Sequence, residues 1–121
     1  MPDTPIDLAA FAELLETVGG DRDFLAELVE TYRADCPLLF AELRAAVAAG
    51  DAPAARRAAH TLKSTSASMG ALGLAAQCRE IEAAAAAGDL DELDERVEQA
   101  AATYADVEAA LRAAVTAGEA A

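Results

Sequence analysis

The stretch DAPAARRAAHTLKSTSASMG, from Asp51 to Gly70, decides the fold, because its side chains separate into two kinds when wound at about 100° per residue. With His60 as the origin, Ala55, Ala58, Leu62, Thr65, Ser66 and Met69 fall within roughly 60° of the opposite direction and Ala59 within roughly 80°, so they form the side that packs on a core. Arg56, Arg57, Lys63, Ser64 and Ala67 fall within roughly 60° of His60, on the side left to water. Asp51 is suited to cap such a helix and Gly70 to end it in a left-handed turn, which sets a helix over about 52–69.

The same punctuation recurs outward from this segment. Gly19-Gly20, Gly50 and Gly88 each follow a periodic apolar run, and Asp21 and Asp89 stand ready as N-caps; Asp89 with Glu92 has the spacing of a capping box. Helices are therefore expected over about 5–18, 22–49, 72–87 and 90–116. Leu8, Phe11, Leu15 and Val18 make the apolar stripe of the first, and Leu25, Leu28, Tyr32, Cys36, Leu39, Leu43 and Val47 that of the second. Pro37 interrupts the second without putting its stripe out of phase, so a kink is expected there rather than two helices. Leu74, Cys78, Ile81 and Ala85 mark the core side of the fourth helix. The fifth runs through Leu90, Leu93, Val97, Ala101, Tyr104, Val107, Leu111 and Val115, and its end from Thr116 to Ala121 is expected to fray.

Short connections force successive helices antiparallel. The fold class is all-α: an antiparallel up-down four-helix bundle with an additional N-terminal helix packed across one end, in a single domain over 1–121. Composition agrees, since alanine dominates a 55% hydrophobic fraction, aromatics are only 4%, and 121 residues suffice for one modest core.

With 22 acidic and 9 basic residues, the formal charge of −13 repels nucleic acid and anionic membrane surfaces. Met1 to Ala10 lacks a basic leader region, and no apolar run reaches the roughly 20 residues that cross a bilayer, so a cytoplasmic protein is expected. The starting methionine and acidic N-terminus favour a free-standing protein, and a monomer is expected. Cys36 and Cys78, far apart and each at a core spacing, read as buried hydrophobes, and one histidine with two scattered cysteines makes no metal site.

Chemistry concentrates on the exposed side of the 52–69 helix. His60, the single histidine, is flanked by Arg56, Arg57 and Lys63, and no carboxylate lies between Asp51 and Glu80, which leaves a local cationic patch. Positive neighbours favour a neutral, nucleophilic imidazole and would steady the oxygens of a phosphoryl group carried on it. The small Ser64 and Ala67 let a partner's backbone come close. The bland alternatives are an idle surface histidine and arginines that merely pair with acids of an adjacent helix.

The run Ala59-His60-Thr61-Leu62-Lys63-Ser64, continued through small residues to Met69-Gly70-Ala71, resembles the signature of histidine-containing phosphotransfer (HPt) domains: Ala-His-x-Leu-Lys-Gly, several small residues, an apolar residue, then Gly-Ala. The order, the spacing and the five-helix layout extend the likeness over nearly the whole chain. The resemblance implies phosphorylation of His60 on Nε2, with Lys63 as the chief cation holding the phosphoryl group, ahead of Arg56. It also implies partners: response-regulator receiver domains and a hybrid sensor histidine kinase, the receiver supplying Mg²⁺. Ser64 departs from the family glycine. Without a nucleotide-binding loop the chain is expected to be a phosphocarrier, with no ATP-dependent kinase activity and no cofactor of its own. Two other readings are a helical adaptor that binds receiver or kinase domains without phosphate, and the phosphoacceptor region of a histidine kinase; the latter normally has an acidic residue where Thr61 stands.

Overall fold

The computed structural model describes residues 5–120. It contains α1 (Leu8–Thr17), α2 (Arg22–Ala49), α3 (Ala52–Ser68), α4 (Leu72–Ala86) and α5 (Leu93–Ala120), with no strand among the described residues. In the bundle α3 packs against α2 and α4, and α5 against α2 and α4, so the four helices form a closed square. The core is aliphatic and small: Leu43, Leu62, Leu74, Ile81, Leu93, Val97, Val107 and Leu111 fill it with Cys36 and Cys78. Burial pushes both thiols up to about 12, which makes them inert packing groups at neutral pH.

Local chemistry explains the boundaries. The carboxylates of Asp7, Asp21 and Asp51 accept hydrogen bonds from the backbone N–H groups of Ala9, Phe24 and Ala54 at 2.9, 3.0 and 3.1 Å, filling orphan donors at three helix starts. Gly70 ends α3 at φ 80°, where a side chain is strained, and an added Cβ would lie 2.9 Å from the Asp7 carbonyl oxygen. That closeness is used: the Asp7 N–H donates to the Gly70 carbonyl at 2.7 Å, fastening α1 at the end of the bundle where α3 turns into α4.

Several sequence expectations are corrected. The first helix starts at Leu8 and not near Pro5, because Asp7 is its cap; Ile6 and Phe11 are the buried pair at its entry, whereas Leu8 is exposed. The fifth starts at Leu93 and not at Leu90. Asp89 accepts from the N–H of Asp91 at 3.1 Å in a local turn, and Glu92 adopts φ 65°, so the pair makes no capping box. As expected, α2 passes Pro37 as a single helix and does not split into two. The first, third and fourth helices end one residue earlier than expected, at Thr17, Ser68 and Ala86. At the C-terminus helical backbone continues through Ala120, beyond the expected end at Thr116, while Ala121 lies outside the described residues. Residues 1–4, part of the Met1 to Ala10 stretch that lacks a basic leader region, also lie outside them.

Candidate functional site

α3 places the site. Ala55, Ala59, Leu62 and Ser66 are fully buried, and Ala58 and Met69 nearly so, while His60, Arg56, Arg57, Ser64 and Ala67 are exposed and Lys63 half-buried. Small inner residues let α3 seat closely on α2 and α4, which leaves its outer face no rotational freedom. Behind that face, Ser66 Oγ and Tyr32 Oη share a buried hydrogen bond of 2.8 Å across α3 and α2. The Tyr32 ring also meets Tyr104 edge-on at 5.8 Å between centroids. Burial raises the Tyr32 phenol well above its ordinary value, so it stays a neutral structural group.

The His60 side chain is 58% exposed, and its Nδ1 lies 2.7 Å from Oε2 of Glu82, a residue of α4. The other oxygen of the same carboxylate, Oε1, accepts from Lys63 Nζ at 2.5 Å. One carboxylate thus ties the imidazole and the ammonium together. The hydrogen bond from Lys63, aided by that from His60, holds the Glu82 carboxyl below its ordinary value against an opposing effect of burial. An ionised carboxylate can only accept, so the proton of a neutral imidazole is assigned to Nδ1, leaving the Nε2 lone pair free.

Glu82 was not legible as a site residue from its distance along the chain. The run without carboxylates from Asp51 to Glu80 suggested an unopposed cationic patch; the α3–α4 hairpin instead brings an acid to its centre. Counting outward from the Gly70 turn would have found it, since antiparallel helices pair positions at similar distances on either side of their connection. Beside His60 an open groove is lined by Pro53, Arg56, Arg57, Thr61 and Glu82. Ser64 and Ala67 stand exposed on the C-terminal side of His60 and border none of it. Among the described residues no cluster of side chains could hold a metal ion, and no helix is long and apolar enough to cross a membrane.

A family model described as "Hpt domain" matches residues 27–117. Among curated proteins none matches. Among solved structures, the chain is similar to histidine-containing phosphotransfer protein B from Pseudomonas aeruginosa PAO1, with 31% identity over 95% of this chain and 97% of that chain and a TM-score of 0.86. The HPT domain of an Hpt sensor hybrid histidine kinase from Shewanella superposes with a TM-score of 0.71 over 91% of this chain and 97% of that chain; at 18% identity this likeness concerns the fold.

Proposed function

This chain belongs to the Hpt domain family, and from that premise we propose that His60 is the residue through which it carries a phosphoryl group. It is a histidine-containing phosphotransfer protein of a phosphorelay, a carrier and not itself a kinase. Hpt domains relay phosphate with receiver domains and hybrid kinases. The residue assignment rests on one observation: the single histidine of the chain projects from the middle of α3 with Nδ1 tied to Glu82 and Nε2 unencumbered.

In the uptake step the Nε2 lone pair attacks the phosphorus of a receiver's aspartyl phosphate. The P–O bond to the aspartate breaks, a P–N bond forms, and the aspartate leaves as a carboxylate. The Nδ1 proton stays in place, so the ring acquires positive charge, which the Glu82 carboxylate stabilises at 2.7 Å. Passage to a second receiver reverses these bonds. Arg56, Arg57 and Lys63 make the cationic surroundings of the transferred group, and the small Ser64 and Ala67 keep the approach low for a docking partner. Mg²⁺ is brought by the receiver. The whole chain, 1–121, acts as one unit.

The test is transfer from a phosphorylated receiver. The expected result is an acid-labile, alkali-stable label on the wild type and none on His60→Gln. Label retained by His60→Gln overturns the assignment. A wild-type chain that binds the receiver yet takes no label would be an adaptor.

A further inference from the structure

The cations around His60 are not equivalent. Lys63 Nζ is 2.5 Å from Glu82 Oε1, so its charge is already met by a carboxylate. Arg56 and Arg57 are exposed and form no ion pair among the described residues. The open groove beside the imidazole is lined by both arginines, and by neither Lys63 nor Ser64. Helical side chains lean toward the N-terminus, so the ring of His60 lies over the turn that carries the arginines. Glu82 holds Nδ1 and also borders this groove, so a phosphoryl dianion there needs the charge of the two arginines to offset the carboxylate.

We propose that the groove on the N-terminal side of His60 is the phosphoryl subsite, with Arg56 and Arg57 binding the phosphoryl oxygens and Lys63 acting as a positioning residue through Glu82. The proposal rests on His60 as the phosphoacceptor and deepens that reading. A guanidinium presents a planar fork of donors that matches phosphoryl oxygens, and a pair with no carboxylate partner gives up no ion pair to do so. Glu82 borders the same groove, so it needs a counter-charge of its own when the anion arrives; Lys63 supplies it. The order of importance read from the sequence, Lys63 ahead of Arg56, is thereby reversed.

The test uses potassium phosphoramidate, a small anionic phosphoryl donor that requires no partner protein, on the full chain. Uptake is followed by ³¹P NMR, and the ionisation midpoint of the bound phosphoryl group is titrated by its chemical shift. The double variant Arg56→Gln, Arg57→Gln should slow uptake roughly three- to tenfold and raise the midpoint by several tenths of a pH unit, and the Lys,Lys counterpart should restore part of both. In a Glu82→Gln background the arginine effect should persist, whereas Lys63→Gln should change uptake less than about twofold, since its partner is gone. An arginine pair without effect on the midpoint, or a Lys63→Gln effect that survives in the Glu82→Gln background, overturns the subsite. A folded wild-type chain that takes no phosphoryl group at all removes the assignment of His60 itself, a different failure. Circular dichroism of each variant checks that the helices persist.

Discussion

On the inner face of α3, Ala55, Ala59 and Leu62 are completely buried, and Ser66 is accepted among them with its hydroxyl bonded to Tyr32. On the outer face His60 is 58% exposed, and of the neighbouring cations Lys63 is held by one carboxylate while Arg56 and Arg57 form no ion pair among the described residues. The inner face is where the folding free energy lies, and it also aims the outer one. Turning α3 by a single residue would swing the imidazole about 100° around the helix axis and put a different residue at Glu82. Close packing of alanines and Leu62 forbids that turn, so the reactive group is pointed by residues it never touches.

The inner face is weakened most directly at Leu62. Truncation of this fully buried side chain by Leu62→Ala should cost about 2–5 kcal/mol in urea unfolding, a large share of the roughly 5–15 kcal/mol that holds a small domain together. Because Ala55, Ala58 and Ala59 still seat α3, phosphoryl uptake by the protein that remains folded should stay close to that of the wild type. Lost uptake with unaltered stability would mean that the two faces are not separable.

A sharper test lies at Tyr32 and Ser66, where the inner face admits polarity. Ser66→Ala leaves the Tyr32 hydroxyl buried without its partner and should cost about 1–3 kcal/mol. Tyr32→Phe should do likewise, and the double variant should cost clearly less than the sum, since no orphaned group then remains. Additive losses would show that the hydroxyls are satisfied separately.

How far these features were legible in the sequence follows from their range. The two faces of α3 are a matter of 3.6-residue periodicity, and every inner position except the half-buried Thr65 is in the core. Asp21 and Asp51 act within three residues and behave as their spacing implies. Asp89 and Glu92 have the same local pattern and do otherwise. Glu92 takes a left-handed conformation, and Leu93, not Leu90, is the first residue of the last helix and is fully buried in the core. Tertiary packing overrode a local signal there. Leu8 fits the apolar stripe of α1 yet lies exposed, because α1 is fastened by Ile6, Phe11 and the Asp7–Gly70 hydrogen bond at its entry. Glu82, 22 residues from His60, belongs to a pairing that only the antiparallel hairpin creates.

The smallest expected effect belongs to that outer pairing. Because the Glu82 carboxyl sits below its ordinary value of 4.5 in the folded chain, its contribution is fully present above that value and is lost as pH falls through the lower, folded one. Its partner His60 is more than half exposed, so the contribution should be about 0.2–1 kcal/mol. Urea midpoints of the wild type and Glu82→Gln should therefore differ near pH 6 and converge as the pH is lowered below about 4. A gap that stays constant down to pH 3 would mean that Glu82 works by shape and not by charge, and Lys63 would then lose its reason for standing where it does.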